Sequence, residues 1–464
     1  MKKYIILLTV TLTVFTGCKK YIDVNKDPNR PVNVSEALIL APVEVAISQN
    51  IQAAGGGNLA IIIQEYMQVI ALNQPPPNAG TYLMYNQDMD GDWYNFYVQC
   101  LNNLVILNKK AEANNNTNYA AIAKILTAYC LGSATDVWGD IPYSEAFNGI
   151  DNLTPVYDSQ EKIYESIQTL LDNAIADIAK GGILKPAGDD FFYGGDMDKW
   201  QRLAYTLKAR YYMHLTKAPG HTAAAQAQLA LTALEKGMIS NDDDLKMEFG
   251  GEAGEENPWQ QNFLPGSTLV LASTGVEGFK QRSDPRLSKM VAPAKETGLY
   301  TGREIGIDGI GSLESYSLGG PFYANASSNN YIFNYSEALF LKAEATLITS
   351  GVSAAQPIYV DAVMSHMTKL GIGTTAANNY LTARGALTAG NALQLIIEEK
   401  QIANYLSMEN FTDWRRTGFP VLTKVKNALS EIPRRVLYPQ AEIIANSQPQ
   451  QTAKLTDRLW WDAQ

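Results

Sequence analysis

The fold of this chain is decided between residues 92 and 135, which read DWYNFYVQCLNNLVILNKKAEANNNTNYAAIAKILTAYCLGSAT. Apolar residues recur at helical spacing on both sides of a polar tip at residues 114–117. The second segment is rich in alanine, which lets a neighbouring helix approach closely. The stretch therefore predicts two packed helices joined by a short turn.

Two cysteines lie on this hairpin, Cys100 and Cys130. Each is about 15 residues from the tip, so the two would lie at the same height, where a disulfide is sterically conceivable in an oxidising compartment. Two buried free thiols are the other interpretation, and the spacing alone leaves both open.

The same helical periodicity continues outward in both directions. Capping residues, Asp158 with Glu161 and Asn334 with Glu337, predict two of the helix starts. The predicted helices cover residues 59–72, 92–113, 119–135, 158–178, 199–215, 223–236, 334–350, 357–370 and 389–406. We expect an all-α body in two parts, residues 35–239 and 331–408.

Two long segments lack this period. Residues 240–330 are rich in glycine, proline and acidic residues, and predict an ordered, loop-rich layer, since a segment of this length is too long for a linker. Residues 409–464 contain four prolines and predict an irregular C-terminal segment packed on the body.

The N-terminus reads as an export signal. Lys2 and Lys3 precede an apolar stretch of about a dozen residues, short of the roughly 20 that span a bilayer, and small residues follow. Cys18 stands directly after them, as in bacterial lipoprotein signals, in which the cysteine thiol is acylated. We expect residues 1–17 to be a signal peptide, Cys18 to carry the lipid and residues 18–34 to form a tether.

Composition narrows the classes of function. The chain of 464 residues has a net charge of −10 and 46% apolar residues, enough for a large core. It lacks the basic surface of a nucleic-acid-binding protein, and beyond the leader no apolar run is long enough to cross a membrane.

Three passages carry a family resemblance. They are DVWGDIPYSEA at residues 136–146, YSEALFLKAEA at 335–345, and a bipartite passage with EEKQ at 398–401, ENFTDWRRTG at 409–418 and IPRRVLYP at 432–439. These passages resemble the SusD/RagB family of outer-membrane lipoproteins. Their arginines can bind helix carbonyls or acidic partners such as Asp413 and Glu409, so we interpret the passages as structural.

The resemblance implies a fold and a function. It implies about four tetratricopeptide-like helical hairpins with a loop-rich, ligand-facing layer. It also implies a non-catalytic protein on the cell surface, lipid-anchored to the outer membrane, that captures an oligosaccharide or a peptide. The expected partner is a SusC-like TonB-dependent β-barrel transporter, with no cofactor.

The residues themselves give little sign of catalysis. The three histidines, His214, His221 and His366, have no metal-ligand spacing, and no nucleophile elbow or phosphate-binding loop occurs. Residues 88–92 (DMDGD) fit a calcium loop less well than a solvated helix start. We therefore assign no catalytic residue and no metal ligand.

Sugar binding needs exposed aromatic rings beside hydrogen-bonding side chains. Aromatic residues in irregular segments are the best candidates, although packing against the helices is an equally good interpretation of each. The candidates are Tyr82, Tyr85, Trp93, Trp259, Phe263, Tyr316, Phe322, Tyr323 and Asn325. A helical scaffold that binds only proteins, and a glycan-cleaving enzyme, are the alternative functions.

Overall fold

The computed structural model describes residues 34–448 and 453–463, and most of them are helical. The predicted signal peptide, Cys18 and all of the predicted tether except Val34 lie outside the described residues. Within the part described, no helix is both long and apolar enough to cross a membrane.

The first half of the chain is a series of helices. They are α1 (Ala37–Ala46), α2 (Leu59–Tyr66), α3 (Asp90–Tyr94), α4 (Asn102–Ala113), α5 (Thr117–Trp138), α6 (Gln160–Lys180), α7 (Met197–His214) and α8 (Ala223–Leu234). Two π-helical turns, Ile47–Ile51 and Asn95–Leu101, extend α1 and join α3 to α4.

The second half mixes short and long elements. Its helices are α9 (Pro258–Asn262), α10 (Ser273–Gln281), α11 (Leu287–Met290), α12 (Tyr335–Ser350), α13 (Val352–Lys369), α14 (Thr374–Arg384), α15 (Ala392–Ala403), α16 (Glu409–Thr417) and α17 (Gln440–Ala445). The strands are β1 (Ile70–Leu72), β2 (Leu245–Met247), β3 (Leu269–Leu271), β4 (Val291–Ala292), β5 (Leu318–Gly319) and β6 (Asn330–Phe333).

The long helices pack in pairs, as the resemblance implies. Helix α4 packs on α5, α5 on α6, α6 on α7, α7 on α8, and α12 on α13. Helix α8 also packs on α12, although the two helices are far apart in sequence, so the irregular segment connects two helices that are in contact. The fold is all-α, with tetratricopeptide-like hairpins.

The segment between α8 and α12 is more regular than predicted. Three small antiparallel pairs cross it or tie it to the body: β1 with β3, β2 with β6, and β4 with β5. Because β1 belongs to the body, its pairing with β3 fixes the layer next to α2.

The prediction of one helix over residues 59–72 is wrong at its end. Helix α2 stops at Tyr66, and Gln68 adopts a left-handed backbone with φ 56°. Residues 70–72 then pair as β1, with Ile70 opposite Leu271. An apolar run fits a helix and a buried strand equally well, so periodicity could not separate them.

One of the two predicted caps is displaced by a residue. Ser159, not Asp158, caps α6 by accepting a hydrogen bond from the Lys162 N–H. The Asp158 carboxylate instead accepts the N–H groups of Tyr143 and Ser144 at 3.1 and 2.6 Å. Asn334 caps α12 as predicted, at 3.0 Å from the Glu337 N–H.

Cys100 and Cys130 are free thiols in the structure, and both are buried. Burial raises the pKa of Cys130, and the neighbouring Cys100 adds to the shift. The two side chains therefore do meet across the first hairpin, without a disulfide.

A buried ionic network joins the three family passages. Arg210 on α7 donates to both carboxylate oxygens of Glu337 on α12, at 2.8 and 2.7 Å. Glu409 on α16 lies 3.7 Å from Arg210 and 3.5 Å from Lys400 on α15. These residues are at most 8% exposed, so the pairs lock four helices at defined angles.

Residues 409–417 form helix α16, which corrects the prediction that the C-terminal segment is irregular from 409 onward. Its Arg416 pairs with Glu344 and Asp413, the latter at 2.9 Å. Arg415 donates to the Arg434 carbonyl at 2.9 Å, and Arg435 donates to the Trp138 carbonyl. The prediction that the arginines bind carbonyls and acids is confirmed.

Candidate ligand-binding cleft

A cleft of about 570 Å³ lies where the body meets the loop-rich layer. It is bounded by α2, the segment after β1, the start of β3 and the end of α9. The apolar part of its lining includes Ile61, Ile62, Leu72, Leu83 and Leu269. The polar part consists of Asn58, Glu65, Gln74, Asn78, Tyr85, Asp88, Asn262 and Ser267. Such a mixture of apolar walls and a few polar groups is typical of small-molecule sites.

Tyr85 supplies the exposed aromatic ring of the cleft. Its side chain is 57% exposed, and its backbone N–H donates to the Asp88 carboxylate at 2.7 Å, which holds the loop. Asn78 braces the preceding turn by accepting from the Thr81 N–H at 3.3 Å. Tyr85 therefore stands on a braced loop with its ring available to the flat face of a sugar.

Glu65 is the most unusual group in the lining. It is fully buried, and neither carboxylate oxygen has a hydrogen-bond partner among the described residues. Burial raises the pKa of Glu65 to about 8, so the side chain is mostly a neutral acid at pH 7. A neutral carboxyl carries one O–H donor, and leaving it unpaired costs about 1–3 kcal/mol.

Asn262 adds a second unpartnered group. Its Nδ2 is buried and has no acceptor within the described part of the chain, although the residue lines the same cleft. Glu65 and Asn262 together offer hydrogen-bond donors that the protein itself leaves unused.

Of the nine predicted candidates, only Tyr85 lines this cleft. Tyr82, Trp93, Trp259, Phe263 and Tyr323 are at most 8% exposed and serve packing. The edge of Tyr82 meets Tyr66, Trp93 stacks on Tyr97, and Trp259 lies beside Phe263. The Tyr323 hydroxyl lies 3.1 Å from His366 Nε2.

The other three candidates lie outside the cleft. Tyr316 is half-buried, and its hydroxyl accepts from Arg303 at 3.2 Å. Phe322 is half-buried and stacks on Tyr331, and Asn325 is exposed. A role in ligand binding stays a prediction for these three residues.

Sequence reasoning missed Glu65 and Asn262. The available signal was a carboxyl in the strongly apolar helix LAIIIQEY, because an acid in such a helix either finds a partner or faces a site. Asn262 offered no comparable signal.

The acidic residues at 88–92 accept hydrogen bonds from backbone N–H groups. The Asp88 carboxylate accepts from the Tyr85 N–H, Asp90 from the Ala441 N–H at 2.9 Å, and Asp92 from the N–H groups of Asn58 and Leu59 at 2.9 and 3.1 Å. Asp92 therefore supports the start of α2, as a helix-capping carboxylate does.

Asp136, His214 and Glu409 form a buried group with the spacing of a metal site. His214 Nε2 lies 2.8 Å from Glu409 and Nδ1 lies 3.3 Å from Asp136. Although burial opposes the charged form, the two carboxylates raise the pKa of His214 to about 9. The imidazole lies between two carboxylates, and the three side chains form an ion-paired part of the network.

Comparisons with known proteins agree on the fold. A protein described as a chitin-binding protein shares 24% identity, with a TM-score of 0.79 and coverage of 93% of this chain and 100% of its own. A chitin-binding SusD homologue from Flavobacterium johnsoniae shares 23% identity, with a TM-score of 0.79 and coverage of 92% and 98%.

A third solved structure, a SusD/RagB family protein from Bacteroides thetaiotaomicron, shares 22% identity, with a TM-score of 0.79 and coverage of 93% and 99%. The search of curated proteins finds no match.

The family model matches residues 28–439, nearly the whole chain, and describes starch-binding proteins that associate with the outer membrane. Proteins of this kind are described by what they bind rather than by a reaction that they catalyse. The chain belongs to the SusD-like family of carbohydrate-binding, outer-membrane-associated proteins, and it is a binding protein rather than an enzyme.

Proposed function

We propose that this protein captures an oligosaccharide at the outer membrane and passes it to a SusC-like TonB-dependent transporter. Cys18 carries the lipid that holds the protein on the membrane, at the cell surface. The cleft beside Tyr85 takes the sugar.

The observation that carries the proposal is one exposed tyrosine beside two unused hydrogen-bonding groups. Tyr85 offers a ring to a sugar face, while Glu65 and Asn262 offer donors to its oxygens. A neutral carboxyl suits a neutral sugar, because it donates to a hydroxyl or carbonyl oxygen without placing a charge against it.

Neutral glycans are therefore the first ligands to test. The family is described as starch-binding, and two structural neighbours are described as chitin-binding. An acetamido group presents a carbonyl oxygen to the Glu65 and Asn262 donors and a methyl group to the apolar wall. We favour chitin oligosaccharides over maltooligosaccharides for this reason.

Calorimetric titration of the mature protein with chitohexaose, maltoheptaose and a mixed peptide library tests the site. We expect Tyr85→Ala to weaken glycan binding about tenfold or more, since stacked aromatic contacts contribute roughly 0.5–1.5 kcal/mol beyond the area they bury. The matched control is Tyr94→Ala, because Tyr94 is 53% exposed and does not line the cleft. Equal loss in both variants, or binding of peptides alone, would overturn the glycan site.

The partner and the anchor need separate experiments. Purification of the tagged protein from its own outer membrane in mild detergent should recover a large TonB-dependent β-barrel at near-equal amount. Cys18→Ala should move the protein from the membrane fraction to the soluble fraction. Recovery of the lipoprotein without a barrel would favour a free-standing binder or a protein-binding scaffold.

A further inference from the structure

A second pocket lies on another part of the molecule, between α10, α15 and the segment at residues 420–422. Its volume is about 140 Å³, close to the roughly 150 Å³ of engineered cavities that hold benzene. No residue lines both this pocket and the cleft at Tyr85. Its walls include Met67, Phe279, Ile402 and Leu422, so most of its surface is apolar.

The charge of this pocket is unusual for the molecule. The chain carries a net charge of −10, yet Arg282 is the one charged residue in the lining and no Asp or Glu lines the pocket. The Arg282 Nε is buried and has no hydrogen-bond partner among the described residues. An arginine placed in this way is a site for an anion that accepts several N–H bonds.

The guanidinium is held in position by its neighbours. It lies 5.8 Å from the centroid of the Phe279 ring. A Cβ at Gly278 would lie 3.4 Å from both terminal nitrogens, so the bare backbone of Gly278 leaves room for the group. Although burial opposes the charged form, Arg286 and Arg282 lower the pKa of the nearby Asp284, whose carboxylate is paired with Arg286 at 2.7 Å, so the Arg282 Nε is left without a hydrogen-bond partner in the part of the chain that the structure describes.

Two further buried polar atoms in the lining lack partners. The Tyr405 hydroxyl is buried without a hydrogen bond, and burial raises the pKa of Tyr405, which keeps it a neutral donor. Asn410 is 2% exposed and donates through Nδ2 to the carbonyls of Gln401 and Asn404, at 3.2 and 2.9 Å. Its Oδ1 is left without a donor.

We propose that this pocket binds a small organic carboxylate with an apolar body. The carboxylate pairs with Arg282 and accepts from the Tyr405 hydroxyl, and the body fills the space between Phe279, Ile402 and Leu422. Asn410 Oδ1 accepts a hydroxyl or N–H group from the same molecule.

Benzoate is a suitable probe, because its ring matches the volume of the pocket. Ligand-observed NMR and calorimetry on the full mature protein should show saturable binding of benzoate. Benzyl alcohol, which has the same ring without the charge, should bind at least tenfold more weakly, because charge-assisted hydrogen bonds are about twice as strong as neutral ones. Equal binding of both compounds would overturn the proposal.

Variants separate the pocket from general charge effects. Arg282→Gln should weaken benzoate binding about tenfold or more, and Tyr405→Phe should weaken it several-fold. Lys280→Gln removes a positive charge two residues from Arg282, but the Lys280 side chain is 43% exposed and does not line the pocket, so binding should stay within about twofold. An unchanged affinity in Arg282→Gln, with the variant folded by circular dichroism, would refute the site.

Two more measurements test which class of ligand the pocket binds and whether it binds independently of the cleft at Tyr85. Glucuronate, a carboxylate on a polar ring, should compete poorly with benzoate, and strong competition would contradict the apolar body. Tyr85→Ala should leave benzoate binding unchanged, and its loss there would mean that benzoate binds in the glycan cleft instead.

Discussion

Arg210→Met removes the cation that holds Glu337 and Glu409 inside the helical body. Methionine keeps much of the volume of the arginine stem, so the variant mainly deletes charge and hydrogen bonds. Arg210 makes two charge-assisted bonds to Glu337, at 2.8 and 2.7 Å, and its guanidinium lies 4.0 Å from the centroid of the Phe333 ring.

The loss of stability in Arg210→Met follows from these contacts. Bonds to charged groups contribute about 1.5–3 kcal/mol each, and breaking a buried pair costs about 3–5 kcal/mol because the partner is left uncompensated. Lys400 remains 3.7 Å from Glu337 and 3.5 Å from Glu409, so part of the charge stays balanced. We expect the free energy of unfolding to fall by about 3–5 kcal/mol.

Urea unfolding followed by circular dichroism measures this loss. With an m-value of about 3 kcal/mol per molar urea, the midpoint should fall by about 1 M or more. The control is Lys280→Met, which breaks the exposed pair with Glu277 and should cost at most about 1 kcal/mol. A loss below about 1 kcal/mol in Arg210→Met would refute the view that this network stabilises the fold.

The buried groups His214 and Glu65 should make the stability of the protein depend on pH, and Glu65 should do the same for glycan binding. The carboxylates around His214 raise its pKa from 6.5 to about 9, so its stabilisation is complete below 6.5 and is lost as the pH rises through 9. Urea midpoints of His214→Gln should lack this fall, and an identical pH profile in wild type and variant would contradict it. The raised pKa of Glu65, about 8, acts in the same direction, because the unfolded chain ionises first and stability falls as the pH rises from 4.5 to 8. Glu65→Gln should therefore become progressively more stable than wild type over that interval, and its glycan affinity should stay constant above pH 8, where that of wild type declines. Cys100 and Cys130 are buried, so iodoacetamide should label them only on unfolding, and rapid labelling of the folded protein would show that the hairpin opens.

Helical periodicity was sufficient to locate the long helices. Their apolar residues repeat over many turns, on one face in α6 and all around the buried α5, so a single sequence carries the signal. Strand β1 could not be found in this way, because its partner β3 lies about 200 residues away and a run of three residues has no measurable period.

Helix α16 was missed for a different reason. Its sequence ENFTDWRRT is polar and charged, which normally indicates exposure, yet residues 409–416 are all buried. The charges are neutralised by partners on α12 and α15, such as Glu344 and Lys400, and pairing of that kind is a property of the folded chain.

At the candidate site, the sequence could not predict which aromatic residues of the loops are buried and which are exposed. Tyr82 and Tyr85 lie three residues apart in one irregular segment, but Tyr82 is 2% exposed and Tyr85 is 57% exposed. Local sequence places both beside the cleft, whereas their exposure depends on what packs above them, including the segment near Val425 that lies over Tyr82.

The pairing of α8 with α12 has a consequence for how such proteins diversify. About 100 residues form a closed excursion between these helices, and doubling a loop costs only about 0.6 kcal/mol in closure entropy. Changes of length at its exposed turns therefore cost the helical scaffold little, whereas residues that tie the segment to the body, such as Arg286 with Glu399 at 2.7 Å, are constrained. Asn262, which faces the cleft from this side, makes no contact with the buried Arg210–Glu337 pair, so a substitution there can alter the cleft without disturbing that pair.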